Sequence, residues 1–270
     1  MAKVSEKAKR KYAESIKGYK KVIATLLEKE HKSRLPLKKG DYSANKTRIE
    51  LADLNVTLVS YYVVLNQVSL SMLGVKNENY LNEGRKACYK AIIYLEEAFT
   101  NLIDASFSEY ESCHEQVVNV NDRVRYQVIQ KLGFSIQSVE DGFGANSKWK
   151  WSFVELYGRF SVVAKNILDL KSLYKKLDPR FEFYNECLEH LQIVKRMLQR
   201  SADKYREKYE LSTQRIDDMR MAINYLAAYK RIIIVLGETN QLENIKKKIE
   251  VWMTKMESDI KKKEVGNKPR

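Results

Sequence analysis

Turn-forming residues are scarce in this chain, with three prolines and ten glycines among 270 residues. That excludes collagenous, low-complexity and turn-dense sandwich architectures, which need far more chain punctuation. Cysteine is scarce too. Cys88, Cys113 and Cys187 are odd in number, far apart and without a CxxC pair, so neither a disulfide framework nor a zinc motif is indicated. Three histidines leave few catalytic options. No nucleophile elbow is present. Asp141-Gly-Phe-Gly-Ala-Asn-Ser147 has no strand before it and no Gly-Lys-Ser/Thr after it, so it reads as a turn and not as a phosphate loop. Cys113 and His114 are sequence neighbours, which a helix turns about 100° apart, and so form no nucleophile and base pair. The opening MAKVSEKAKRKYAESIK has basic residues but no apolar run behind them. No secretory signal is read there, and a cytoplasmic location is expected.

What the chain has in quantity is helix-forming, charged and aliphatic residues. The segment Leu51 to Leu73 stands at the centre of that pattern. Leu51, Leu54, Leu58, Tyr61, Leu65, Val68 and Met72 follow at spacings of three and four, which predicts one helical packing stripe. Val56, Val63 and Leu70 predict cover on a second side, and Asp53, Ser60 and Gln67 a narrow polar line. From Leu54 to Val75 there is no charge, a length that could span a bilayer. Seven polar residues from Asn55 to Ser71 interrupt it, and these fit a buried helix of a soluble bundle better than a lipid-facing one.

Around this segment the 3-4 pattern recurs. A first helix is expected from Val4 to Lys32, with a loop at Pro36 and Gly40 before a central helix beginning near Tyr42 and capped by Gly74. A third is expected from Glu78 to Glu115, whose stripe contains Gly84, Ala91 and Ala98 and so permits close approach of a neighbour. Gly84 to Ala91 resembles the second helix of a tetratricopeptide unit, but no copy follows one period later and no repeat family is implied. Asn119 or Asn121 is expected to cap a fourth helix. Trp149 to Leu177 reads as one unbroken amphipathic helix, and Asp178-Pro179 as the start of the next. Between Lys204 and Arg215 the apolar stripe lapses; a reversal near Leu211 is favoured over one continuous helix. Gly237 ends the seventh helix, and Leu242, Ile245, Ile249, Trp252 and Met256 mark the last. The expected fold is all-α, an elongated multi-helix bundle or array of antiparallel helical hairpins with about seven to eight helices. The expected organisation is an N-terminal bundle over 1–177, a long-helix or hairpin region over 178–265 packed on it as one continuous domain, and a frayed tail over 266–270.

A formal net charge of +14 and a pI near 9.4 favour anionic partners. The first helix concentrates this charge, and Lys7, Arg10, Lys11, Lys17 and Lys21 are its candidate anion-binding residues. Lys148, Lys150 and Trp151 are candidate partner-binding residues, because an indole between lysines suits a protein anchor or a stacking platform. Glu28 with His31 and Glu111 with His114 have the spacing of di-iron bundle ligands, but no inward glutamates accompany them, so no metal is expected. His190 is expected on a helix surface. No cofactor or small-molecule substrate is expected. The expected role is a non-catalytic scaffold, adaptor or assembly subunit that binds another protein or its own copies. A basic nucleic-acid-binding protein is the alternative, and peripheral attachment to an anionic membrane surface a third reading.

Overall fold

A computed structural model describes residues 5–38, 44–104, 114–115, 117, 120–144 and 147–266. The chain is all-α, and among the described residues there are nine α-helices and no strand. They are α1 (Glu6–Arg34), α2 (Asn45–Leu73), α3 (Glu78–Ala98), α4 (Asp122–Phe143), α5 (Lys150–Ile167), α6 (Leu173–Lys176), α7 (Tyr184–Lys208), α8 (Ile216–Leu236) and α9 (Thr239–Gly266). A π-helical turn, Tyr209–Thr213, follows α7.

The helices fall into two compact units, Met1–Thr100 with Ser112–Leu156, and Asn101–Glu111 with Tyr157–Arg270. Residues 157–177, grouped with the N-terminal bundle on sequence, lie in the second of these.

In the first unit α2 is packed by α1, α3 and α4. Leu51, Leu58 and Leu65 are buried as their spacing predicts, while Leu54, Tyr61, Val68 and Met72 are half-buried and Leu70 is 44% exposed. The buried arc is displaced toward Ala52, Asn55, Val59, Tyr62 and Asn66. Polar members of that arc have internal acceptors or donors: Asn55 Nδ2 donates to the Leu51 carbonyl at 2.9 Å, Ser69 Oγ to the Val75 carbonyl at 2.7 Å, and the Asn77 amide donates to Asn66 Oδ1 at 2.8 Å. Apolar periodicity could not reveal the displacement, because these bonds let amides occupy core positions. Among the described helices, α2 is long and apolar enough to cross a membrane by length and composition. Gly84, fully packed on α3, allows the expected close approach. A Cβ there would meet Val139 Cγ2 at 3.2 Å and Tyr62 Cβ at 3.6 Å. Gly74 ends α2 in the left-handed region at φ 65°, and Asn121 caps α4 by accepting from the Val124 amide at 3.0 Å.

In the second unit α8 packs against α7 and α9. The reversal near Leu211 is made by the π-helical turn and by Gln214, which adopts φ 49°. Asp218 in the first turn of α8 fixes it, accepting from Lys208 Nζ at 2.8 Å and Thr213 Oγ1 at 2.6 Å. Gly237 closes α8 at φ 69°.

Three helix boundaries differ from the sequence expectation. α3 stops at Ala98 because the chain leaves it for the second unit, where Asn166 Nδ2 and Lys165 Nζ donate to the Leu102 and Ile103 carbonyls. α5 stops at Ile167, and Asp169 takes over by accepting from the Ser172 amide at 3.4 Å and from Lys176 Nζ at 3.1 Å. Tyr174, which continues the 3-4 spacing of Ile167 and Leu170 within the segment expected to be one amphipathic helix, is consequently 84% exposed. Asp178 does not cap a helix at Pro179. Its carboxylate accepts from the Arg180 amide and guanidinium, and α7 begins only at Tyr184.

Candidate interaction surface

Ser5 starts α1 by accepting from the Ala8 amide at 3.2 Å. From there the helix divides its residues sharply. Ile16, Ile23 and Glu30, seven apart, are its buried line, and Lys7, Arg10, Lys11, Lys17 and Lys21 are all exposed. At 100° per residue these five cations share an outer arc about 120° wide, extending about 21 Å along the axis. None of the five has an ion-pair partner among the described residues; Lys9 pairs with Glu6 beside them at 2.7 Å. Glu14, also exposed, stands in the middle of the arc. The five candidate anion-binding residues of this helix therefore share one exposed face.

The buried line continues into a polar cluster that the sequence reading missed. Glu30, 4% exposed, accepts from Lys90 Nζ at 3.0 Å and 3.2 Å, from Tyr94 Oη at 3.2 Å and from Asn55 Nδ2 at 3.3 Å. Burial, with Glu30 beside it, pushes the Tyr94 phenol up to about 12. The signal was present in the spacing of seven from Ile16 through Ile23 to Glu30, but the charged EKEHK context hid it. This network locks α1 onto α2 and α3 with its cations turned outward.

Lys148, Trp149, Lys150 and Trp151 form a second cluster in the same unit. Trp151 is half-buried, with Lys150 Nζ 4.6 Å from its ring centroid. Lys148 Nζ lies 3.8 Å from Glu78 Oε2. Trp149 is occupied internally: the Arg85 guanidinium stacks 4.1 Å from its ring centroid while Arg85 Nη1 donates to Ser152 Oγ at 3.1 Å. Arg85 and Tyr89, which donates to the Ser152 carbonyl at 3.2 Å, thus tie the start of α5 to α3.

Glu28 and His31 are both exposed on α1, and Glu28 pairs with Lys32 at 2.6 Å. Glu111 and Cys113 lie outside the described residues. No group of three metal-ligating side chains occurs among the described ones. His190, expected on a surface, is 2% exposed, and its Nε2 is 2.9 Å from the Ala164 carbonyl oxygen. The α7 stripe reads differently from its periodicity here because a carbonyl of α5 offers the imidazole a partner inside the second unit.

A family model matches residues 8–260, nearly the whole chain. The chain belongs to the TP0443 family. No curated protein and no solved structure matches it. Membership itself names no chemistry, so in this TP0443 family member the functional argument rests on the α1 face and the Lys148 to Trp151 cluster. The matched region includes both, apart from Lys7, which precedes it by one residue.

Proposed function

We propose that the protein is a non-catalytic interaction subunit, of scaffold or adaptor type, that receives an acidic protein surface along the outer face of α1. The supporting observation is the charge pattern of that face: five exposed cations with Glu14 in their midst. A uniform polyanion gains from each cation and is opposed by Glu14, whereas an acidic protein surface that carries one matching basic group uses all six charges. Like charges brought together cost binding energy, so Glu14 also sets the register. Half-buried Trp151 with Lys148 and Lys150 is a second anchor of the same character, an aromatic with charged neighbours.

The test is affinity capture from the protein's own cells with nuclease present, comparing the natural chain with an Arg10→Glu, Lys17→Glu, Lys21→Glu variant of unchanged helicity. A defined protein retained by the natural chain and lost by the variant, with binding that weakens as salt rises, supports the reading. Loss of all bound material with nuclease transfers the assignment to nucleic acid, whose affinity would fall steeply and linearly with log salt. Equal retention by the variant removes α1 from the interface.

A further inference from the structure

The end of α1, the start of α2 and the second half of α3 enclose a cleft of about 290 Å³, separate from the outer face of α1. Four of its lining side chains are cationic, Arg34, Lys38, Arg48 and Lys90, and one, Glu97, is acidic. Arg48 is 2% exposed and held rigidly in the wall. Its Nη2 donates to the Lys38 carbonyl at 2.8 Å, its Nη1 to Asn45 Oδ1 at 3.0 Å, and Glu97 Oε2 lies 3.5 Å from its Nε. Lys90 shares its charge with Glu30 behind the wall. Arg34 and Lys38 are exposed and have no ion-pair partner among the described residues. Counting Glu30 with Glu97, four cations face two carboxylates, an excess of two positive charges.

A phosphate monoester carries close to two negative charges at neutral pH, and a guanidinium fork fits its oxygens in a planar, two-bond geometry. The rest of the cleft is apolar, with Leu37 and Ile93 beside the ring of Tyr94. Such a combination of a few fixed polar groups and an apolar wall is how small-molecule sites are built, and the volume is at the small end of their range. We propose that this cleft binds a small phosphorylated organic molecule, its phosphate on Arg34 and Lys38 in front of the fixed positive charge of Arg48 and its organic part against Leu37 and Ile93. The site stands independently of the interaction role of α1, since it uses none of the same side chains.

Phenyl phosphate is the probe, because it offers both the dianion and a compact apolar group. Calorimetric titration of the full chain is expected to give saturable one-to-one binding, with inorganic phosphate weaker and phenol not binding. Arg34→Gln with Lys38→Gln, both exposed positions, is expected to weaken phenyl phosphate by about tenfold or more, since two charge-assisted bonds are lost. Lys11→Gln with Lys17→Gln on the outer face is expected to leave it unchanged. Vesicles containing phosphatidic acid separate the two sources of this chemistry: binding that phenyl phosphate competes away assigns a lipid headgroup, and no vesicle binding assigns a soluble ligand. The proposal is overturned by absence of saturable binding at millimolar phenyl phosphate, or by equal weakening in the outer-face variant.

Discussion

A Cβ placed on Gly158 of α5 would stand 2.6 Å from the hydroxyl oxygen of Tyr225 on α8, and 2.8 Å from Tyr205 Cε2 on α7. The two tyrosine rings lie against each other with centroids 5.4 Å apart, and Tyr225 is among the most deeply buried side chains. Three helices of the second unit therefore meet at a position where even a methyl group would force a tyrosine to shift.

Gly158→Ala should lower the stability of the second unit by about 1–3 kcal/mol, the usual cost of overpacking. The better helix propensity of alanine offsets at most about 1 kcal/mol of this. Urea unfolding followed by far-UV circular dichroism measures the sum. An unchanged midpoint would mean that the tyrosines move aside freely.

Glu30→Ala should destabilise the first unit by about 2–3 kcal/mol, because Asn55 and the Tyr94 hydroxyl lose a buried acceptor and Lys90 its counter-charge. Glu30→Gln retains an acceptor and should recover part of the loss. Thermal unfolding of the two variants side by side gives the comparison, and equal losses would show that the carboxylate charge matters more than the hydrogen bonds.

Lys165, 2% exposed on α5, donates from Nζ to the Ile103 carbonyl at 2.5 Å. Burial pushes its ammonium down to about 7, with Asp104 opposing and Arg231 reinforcing the shift. Between that value and the ordinary lysine range near 10.4, the unfolded chain holds a proton that the folded chain does not. Stability of the second unit should therefore rise with pH from about 7 to about 10, by about 1.4 kcal/mol per pH unit at most, and the slope from this group fades below about 7. Lys165→Met should flatten the rise. Urea midpoints at several pH values check both statements.

The architecture was legible where local chemistry decides it. Gly74, Gly237 and Asn121 perform the capping roles that their residue types and places predict, and Gly84 marks the close approach of α3. The basic residues of α1 were legible too, since periodicity alone puts them on one arc. What escaped was set by tertiary partners. Glu30 and His190 are polar residues in polar surroundings, and only Lys90, Tyr94 and Asn55 in one case and the Ala164 carbonyl in the other make their burial affordable. The ends of α3 and α5 were extended too far because Leu102 and Leu170 keep the apolar register after the backbone has left the helix. Asp178 looked like a cap, but Arg180 two residues on competes for its carboxylate. The cleft beside Arg48 was invisible for the same reason, since its walls come from three separate helices.

Cys88 belongs to the first compact unit and Cys187 to the second, and both are buried and outside any disulfide. Burial holds the Cys88 thiol well above its ordinary titration range. A thiolate-directed reagent can then reach either sulfur only after its surroundings have opened. With Cys113 replaced by serine, pulsed alkylation in rising denaturant would time the opening of each half by mass alone. Two labelling midpoints would define two folding partners inside one polypeptide, and a single shared midpoint one cooperative body.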